Sequence, residues 1–262
     1  MSAFDAYANI YDEDFSRSTI GLLQRTSVHR YLQTLPLKTY NVLEVGGGTG
    51  VDALFFAQQC KQVIYSDASK GMFGIATQKF RDIQNITAVL KPAQTLSEEF
   101  VGAHLIYSGF GALNCLSPQA IQTFATSIAE KATTKVDVVL VVMSRRCLWE
   151  QLYFRIKGNK KEANRRKRMN ATLANAGGEK IATWYYSPKE LMVAFGDRFL
   201  VKELRPIGLF IPPSYLQPFF TKHPNALKGL AVLDGWMKGQ KMAANYADHF
   251  LMHLQLITDP LK

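Results

Sequence analysis

Cysteine is scarce in this chain of 262 residues, and the cysteines that occur are far apart, at Cys60, Cys115 and Cys147. No two of them stand at the spacing of a zinc site or of a redox C-x-x-C pair. Their odd number and wide spacing indicate free thiols in a reducing compartment. The sequence therefore argues against a disulfide-stapled secreted protein, a structural zinc site and an iron–sulfur enzyme, and we expect no metal.

Long apolar runs are also missing. The longest, Val136–Met143, is too short to span a bilayer as a helix. The N-terminus lacks the apolar stretch of a signal peptide and carries acidic residues instead, at Asp5, Asp12, Glu13 and Asp14. With 47% apolar and 20% charged residues, the composition is that of an ordinary globular protein. We expect a single cytoplasmic domain over residues 1–262, without a membrane span.

The charge of the chain is uneven. Lys and Arg outnumber Asp and Glu by 31 to 21, a net charge of +10, and the segment Lys157–Arg168 holds seven basic residues against one acidic residue, Glu162. Two interpretations stay open. The segment forms either a face that binds phosphate, an acidic carrier protein, anionic lipid or nucleic acid, or a solvated helix face without a ligand. No aromatic residues interleave with these charges, which disfavours a site for single-stranded nucleic acid.

Short apolar segments alternate with helical periodicity and predict a doubly wound α/β fold. Val136–Met143 is apolar enough for a strand buried on both faces of a parallel sheet. The predicted strands are 40–45, 63–66, 86–90, 104–108, 136–143, 199–210 and 250–257. The predicted helices are 51–60, 71–80, 118–132 and 188–195. Further helical stretches are predicted at 1–35, with a second periodic stretch from Ile20 to Leu35, and at 148–176, and residues 218–238 are predicted to be helical or loop. Helix N-caps are expected at Ser69, Ser117 and Ser187.

Three segments lie outside the alternation. We expect residues 1–35 to form an N-terminal helical cap. The insertions 146–195 and 212–247, which flank the sixth strand, are expected to form a lid over the strand ends and to exclude water from a bound cofactor and acceptor. The basic segment belongs to the first insertion, so an anionic acceptor or carrier is a hypothesis that the sequence supports.

The residues with the clearest chemical meaning follow the first strand. This junction spells acidic-x-G-x-G-x-G, with the fixed positions at Glu44, Gly46, Gly48 and Gly50. Glycine lets a backbone approach a ligand closely, and the following helix N-terminus offers unpaired N–H groups. Asp67 ends the second strand, at the edge where open α/β sheets bind ligands, and its carboxylate can accept both hydroxyls of a ribose. The dinucleotide pattern G-x-G-x-x-A, from Gly48 to Ala53, is met only weakly.

This motif resembles the first motif of class I S-adenosylmethionine-dependent methyltransferases. Tyr7–Asp12 is similar to the segment that caps the cofactor pocket in small-molecule members, and Asp67–Met72 is similar to the acidic-x-Ser-x-x-Met stretch after the second strand. Ser108–Cys115 is similar to the segment after the fourth strand in one branch of uncertain substrate. That branch also shares Trp149-Glu150, Pro212–Leu216 and Asp248-His249.

The resemblance implies a Rossmann-like, seven-stranded, mostly parallel sheet with an antiparallel last strand and helical cap insertions. It implies S-adenosylmethionine as the cofactor, held by Tyr11, Glu44, Gly46, Gly47, Gly48, Gly50, Asp67, Ala68, Met72, Ala93, Gln94 and Ser108. One position departs from the family pattern. Pro92-Ala93-Gln94 replaces the Asp-Ala that meets the adenine amino group, so adenine recognition falls to the Gln94 amide or to backbone groups.

The sequence constrains the acceptor mainly by what it lacks. No Asn/Asp-Pro-Pro-aromatic segment follows the fourth strand and no Pro-Cys dipeptide occurs, which disfavours amide nitrogen, adenine and pyrimidine C5 as acceptors. We expect O- or C-directed transfer to a small-molecule or carrier-bound acceptor. Such an acceptor needs a base where it must lose a proton, and Glu150 and His249 are candidates. Glu150 is alternatively an ion-pair partner of Arg145 or Arg146, and His249, beside Asp248, is alternatively a structural histidine.

Other functions remain open on the sequence alone. One is a nicotinamide-dependent oxidoreductase, and another is a non-catalytic module that binds an adenosyl ligand. The net positive charge also keeps RNA as a candidate acceptor. Neither the acceptor atom nor the oligomeric state follows from the sequence.

Overall fold

The computed structural model describes residues 3–133, 135–176 and 178–257. Its strands are β1 Asn41–Val45, β2 Gln62–Asp67, β3 Ile86–Leu90, β4 Leu105–Ser108, β5 Asp137–Met143, β6 Thr172–Ala176, β7 Glu179–Thr183, β8 Phe199–Ile207 and β9 His249–Leu256. Its helices are α1 Ala3–Tyr11, α2 Thr19–Leu32, α3 Val51–Ala57, α4 Lys70–Lys79, α5 Pro118–Lys131, α6 Leu148–Ile156, α7 Lys160–Ala163, α8 Pro188–Phe195, α9 Gln217–Thr221 and α10 Pro224–Trp236. Within these described ranges, no helix has the length and apolarity needed to cross a bilayer.

Seven strands form one sheet in the order β3-β2-β1-β4-β5-β9-β8. β9 runs antiparallel to both of its neighbours, and the remaining pairs are parallel. The strand order reverses between β1 and β4, and a crevice therefore opens at the carboxyl ends of these two strands. The predicted seven-stranded, mostly parallel sheet with an antiparallel last strand is confirmed.

Helices cover both faces of the sheet. α5 and α8 pack on the face to which Val138 belongs, and α2, α3 and α4 pack on the face to which Val139 belongs. Because β5 is covered on both sides, Val138–Val142 is at most 1% exposed, which explains its continuous apolar sequence. The buried strands hold the loops at their carboxyl ends in fixed positions.

The predicted helix caps are confirmed. The side chain of Ser69 accepts a hydrogen bond from the N–H of Met72 at the start of α4. Ser117 caps α5 in the same way, and Ser187 forms a capping box with Glu190 at the start of α8. These hydroxyls satisfy N–H groups that the first turn of a helix leaves unpaired.

The prediction of one long helical stretch over 148–176 is wrong. Gly158 adopts a φ of 71° and ends the first helix, and Asn159 caps the short α7. The chain then forms an antiparallel hairpin of β6 and β7, in which Asn175 Oδ1 accepts from the Gly178 N–H. The sequence Gly177-Gly178 between β-forming residues is a hairpin signal that the basic charges obscured.

Three other predicted segments have different bounds in the structure. The stretch 1–35 contains α1 and α2, and α2, which Ser18 caps, corresponds to the second periodic stretch predicted from Ile20. The predicted strand 199–210 ends at Ile207, because Gly208 turns away with a φ of 70°. The stretch 218–238 contains α9 and α10. Residues 1–2 and 258–262 lie outside the described residues.

Candidate active site

The chain turns sharply between β1 and α3, at residues 46–50, and this bend lies in the crevice of the sheet. Gly48 and Gly50 have φ values of 56° and 80°, which other residues rarely adopt. A methyl group added at Gly50 would overlap the Phe80 ring, so packing requires that glycine. Beside Gly48 the nearest atom to such a methyl group is Tyr11 Cε1, at 4.0 Å. The bend therefore has open space on the Gly48 side.

Asp67 lies at the tip of β2 and faces the bend. Its Oδ2 accepts from the Gly48 N–H at 2.8 Å, and its Oδ1 accepts from the Ser69 N–H at 2.8 Å. Burial raises the pKa of Asp67 above its ordinary value, although these backbone N–H groups act in the opposite direction. The predicted juxtaposition of the glycine bend with this carboxylate is present. Of the residues that follow, Ala68 is exposed and Met72 is buried.

Glu44 lies beneath the bend rather than at its surface. A methyl group added at Gly47 would lie 2.8 Å from Glu44 Cδ. Glu44 is 1% exposed, and its Oε2 has no hydrogen-bond partner among the described residues. Burial and the neighbouring charge of Asp52 raise the pKa of Glu44 well above its ordinary value. An unsatisfied buried oxygen in this position is an acceptor that a ligand in the crevice could satisfy.

The N-terminal segment is fastened over the bend by two carboxylates. Asp5 Oδ1 accepts from the Ser69 hydroxyl and from the Gly71 N–H at the start of α4. Asp12 accepts from the Thr49 hydroxyl and from Lys79 Nζ. Burial acts to raise the pKa of Asp12, but hydrogen bonds from Lys79 and Thr49 outweigh it and lower that pKa. These contacts hold Tyr11 above Gly48.

The sequence analysis missed Arg25 of α2. Its guanidinium pairs with Asp52 in the first turn of α3 and lies 4.9 Å from the centre of the Phe110 ring, after β4. The residue is 6% exposed, and its Nε has no hydrogen-bond partner among the described residues. Asp52 Oδ1 also forms a hydrogen bond with His29 Nε2 at 2.6 Å. A buried cluster of charged groups therefore lies beneath the bend. An arginine on a periodic helix gives no sequence signal of this placement.

Three further residues of the predicted cofactor site, Ser108, Ala93 and Gln94, lie at or after the ends of β4 and β3, outside the bend. Ser108 is 1% exposed, and its hydroxyl donates to the Val45 carbonyl at 2.9 Å, so it joins β4 to β1. Ala93 and Gln94 lie in a 3-10 turn after β3, where Gln94 is exposed. The strand order places this turn beyond β2 on the side away from β4. The structure gives the Gln94 amide no protein partner within the described ranges.

His249 lies at the same end of the sheet as the bend, where the parallel strands have their carboxyl ends. β9 is antiparallel to β5, so its first residue, His249, is opposite Met143 at the end of β5. The imidazole meets the Phe110 ring edge-to-face at 5.5 Å, and its Nδ1 lies 3.2 Å from Asp248 Oδ2. Phe110 also contacts Arg25, and it therefore connects the histidine with the cluster beneath the bend.

Glu150 has two arginine partners, and neither is a predicted one. Arg165 donates to both of its oxygens at 2.7 and 2.9 Å, and Arg166 Nε donates to Oε2 at 2.9 Å. The expected pairing with Arg145 or Arg146 is wrong, since Arg145 pairs with Glu190 instead. Both carboxylate oxygens of Glu150 already accept from guanidinium groups, and its role as a base stays a prediction.

Arg166 connects Glu150 to the residue beside His249. Its Nη2 donates to Asp248 Oδ1 at 2.8 Å and its Nη1 donates to the Asp248 carbonyl at 3.0 Å. Burial acts to raise the pKa of Asp248, but the charges of His249 and Arg166 hold it well below its ordinary range. A buried chain therefore runs from Glu150 through Arg166 and Asp248 to His249. Two of the seven basic residues of the segment, Arg165 and Arg166, thus pair with buried acids.

Comparison with known proteins addresses the fold and the central part of the chain. Residues 42–143 match the family model of a methyltransferase domain. No curated protein is significantly similar to the chain in sequence.

Solved structures resemble the chain over almost its whole length. A protein from Listeria monocytogenes described as an S-adenosylmethionine-dependent methyltransferase is 15% identical with a TM-score of 0.62, covering 90% of this chain and 99% of its own. The magnesium protoporphyrin IX methyltransferase of Synechocystis PCC 6803, solved with S-adenosylhomocysteine, is 14% identical with a TM-score of 0.60, covering 97% and 94%. The N-methyltransferase NodS of Bradyrhizobium japonicum WM9, also solved with that product, is 13% identical with a TM-score of 0.55, covering 96% and 98%. At these identities the likeness shows a shared fold.

Proposed function

We propose that this chain is a class I S-adenosylmethionine-dependent methyltransferase that methylates a small-molecule or carrier-bound acceptor at oxygen or carbon. The match of residues 42–143 to the family model of a methyltransferase domain and the fold shared with solved methyltransferases support the proposal. The observation that carries the proposal is the open space beside Gly48, bordered by the Asp67 carboxylate and covered by Tyr11. S-adenosylmethionine, when bound, supplies an activated methyl group, and the protein's main task is then to place an acceptor in line with it.

The residues around the bend fit this cofactor. Asp67 is fixed by backbone N–H groups and keeps lone pairs that accept from ribose hydroxyls. In the part of the chain that the structure describes, Arg25 Nε is a buried donor without a partner, and Glu44 Oε2 is a buried acceptor without one. The amino-acid end of S-adenosylmethionine carries a carboxylate and an ammonium group, which supply the missing acceptor and donor. We therefore assign Arg25, Glu44 and Asp67 to cofactor binding.

His249 is the group we assign to proton removal from the acceptor. It lies at the same end of the sheet as the bend, and its Nδ1 is 3.2 Å from Asp248 Oδ2. A neutral imidazole can accept a proton from a hydroxyl or an acidic carbon at its unprotonated ring nitrogen. Among the described residues, the buried Nδ1 of His249 has no hydrogen-bond partner.

The segments 1–35, 146–195 and 212–247 are proposed to cover the acceptor. Gln24 of the first segment donates to Asp248 Oδ2 at 3.2 Å, so the cap contacts the residue beside His249. Trp149 of the second donates to the Phe210 carbonyl at 2.9 Å and meets Phe220 of the third at 6.0 Å. Such a cover excludes water and raises the strength of charge interactions inside the site.

Calorimetric titration with S-adenosylhomocysteine tests the cofactor part. We expect Gly48→Val to abolish binding, because its side chain fills the open space, and Asp67→Ala to weaken it roughly 10- to 100-fold. Gly74→Ala is the matched control, because a methyl group there meets no atom within 4 Å. Full binding by Gly48→Val, or binding of reduced nicotinamide dinucleotide in place of the adenosyl ligand, would contradict the proposal.

Acceptor chemistry is tested by product formation from S-adenosylmethionine over a panel of phenols, enolisable ketones and carrier-bound acids. We expect turnover with a member of this panel, and we expect His249→Asn to lower kcat while leaving binding of S-adenosylhomocysteine unchanged. Transfer to amines alone, with no effect of His249→Asn, would reject the assignment of a base.

A further inference from the structure

Helix α6 presents an apolar stripe to solvent. Leu148, Leu152 and Ile156 stand four residues apart and are 49%, 56% and 77% exposed. The opposite side of the helix is anchored through Glu150, which binds two arginines, and the flank is anchored through Trp149, which donates to the Phe210 carbonyl. The orientation of α6 is therefore fixed, and the stripe faces outward because the anchored side faces in.

Basic side chains flank this stripe. Arg155, Lys157, Lys160 and Lys161 are exposed, and within the described ranges none of them forms an ion pair with an acid. The arginines at 165 and 166 turn inward to Glu150, and Glu162 lies 3.6 Å from Arg165. The positive charge that stays on the surface is thus concentrated next to the aliphatic side chains.

We propose that this docking face binds the surface of an anionic lipid bilayer; it consists of Leu148, Leu152, Arg155, Ile156, Lys157, Lys160 and Lys161. Aliphatic side chains that insert between headgroups, together with cations that meet anionic lipids, are the combination by which helices lie on membranes. The exposed residues that flank the stripe are positively charged, and they therefore favour a negatively charged partner.

The shape of the docking face favours a bilayer over a protein partner. The stripe consists of three side chains on a helix of nine residues, whereas a stable protein interface buries about 1,000 Å² or more with close complementarity. A fluid bilayer adapts to a small apolar surface and needs no matching groove. The proposal does not depend on methyl transfer, so it is tested without turnover.

The experiment is co-sedimentation of the full chain with vesicles of phosphatidylcholine alone and of phosphatidylcholine mixed with phosphatidylglycerol. We expect binding to the anionic vesicles, weakened by salt, and little binding to the neutral ones. Lys160→Gln with Lys161→Gln should lower the partition coefficient on the order of 10-fold or more, since each lysine contributes roughly 5-fold. Leu152→Gln with Ile156→Gln should lower it by a comparable factor, on the order of 10-fold.

Residues for matched control variants lie at the opposite end of the sheet, near the amino ends of the strands. Lys38 and Lys61 are exposed and precede β1 and β2, and Val101 and Leu200 are 53% and 52% exposed. Glutamine at these positions should leave vesicle binding unchanged. Absence of binding to anionic vesicles would overturn the proposal. Binding that the Leu152→Gln, Ile156→Gln variant retains in full would also overturn it, because attraction by charge alone, as to a nucleic acid or an acidic protein, would then suffice.

Discussion

Replacement of Arg166 by glutamine tests the buried chain behind His249. The Arg166 side chain is 7% exposed, and its two acidic partners, Glu150 and Asp248, are 2% and 4% exposed. Removing one partner of a buried ion pair costs about 3–5 kcal/mol, because the remaining charge stays desolvated. Glu150 keeps Arg165, and Asp248 keeps Gln24 and His249. We therefore expect Arg166→Gln to lower the free energy of unfolding by about 3 kcal/mol near neutral pH.

Urea unfolding followed by circular dichroism measures this loss, with two controls from the same basic segment. Arg165 is 25% exposed and shares Glu150, so Arg165→Gln should cost about 1 kcal/mol. Arg168 is exposed, and Arg168→Gln should have no measurable effect. If Arg166→Gln were no more destabilising than Arg165→Gln, the inference that Arg166 organises this part of the protein would be wrong.

The pH dependence of the same variant has a definite sign. A lowered pKa in the folded state contributes stability above the unfolded pKa, and this contribution is lost as the pH falls through the folded pKa. For Asp248 in the natural chain, that loss comes only in strong acid. Without Arg166, Asp248 takes up its proton at higher pH, and the stability deficit of Arg166→Gln should narrow toward about pH 4. A deficit that widens over this range would contradict the argument.

Other predictions concern the cap and the acceptor side. Asp12→Asn removes the partner of Lys79 and should weaken S-adenosylhomocysteine binding about 5-fold, as measured by calorimetry, because a partly exposed ion pair contributes about 1 kcal/mol; unchanged affinity would separate the cap from the cofactor site. Asp248→Asn should lower kcat as His249→Asn does, since it removes the group that orients the imidazole, and an unchanged kcat would show that His249 needs no such orientation.

The sequence predicts the cofactor side of the site better than the acceptor side, for a physical reason. The bend and Asp67 are set by backbone requirements: glycines that tolerate positive φ, and a carboxylate at a strand tip. Such requirements produce a sequence motif with fixed spacing, which can be recognised without a structure. Arg25 and Arg166 act through long side chains whose direction depends on which elements pack nearby. A charged residue in a helical pattern looks the same whether it faces water or a buried acid.

The dependence on neighbouring elements also explains the errors in the predicted secondary structure. Alternating strands and helices over residues 36–143 were predictable because burial on both sheet faces demands apolar segments of set length. The strands β6 and β7 need no apolar segments of this kind. Among the described residues they pair with each other in a separate two-stranded sheet. In β6 the apolar Leu173 is 63% exposed whereas the polar Thr172 is buried, so the sequence lacks the apolar–polar alternation that identifies a strand.

Asp67 offers a test that separates loss of cofactor binding from loss of fold. Its pKa is raised, so it takes up a proton at a higher pH than an exposed aspartate would. The protonated group loses the charge with which it accepts from ribose hydroxyls, and we expect affinity for S-adenosylhomocysteine to fall as the pH drops through this raised pKa. Calorimetry across the mildly acidic range measures that decline.

Stability should not follow affinity over this range. A carboxyl group whose pKa is higher in the folded state than in the unfolded state binds its proton more tightly when folded, so acidification through that pKa favours the folded chain. The lowered pKa values of Asp12 and Asp248 postpone their own destabilising protonation to stronger acid. Asp67→Asn, which keeps Glu44, should bind more weakly at every pH but lose most of this pH dependence. If affinity and unfolding free energy declined together in the natural chain, or if Asp67→Asn kept the full pH dependence, then Asp67 would not be the group that meets the cofactor.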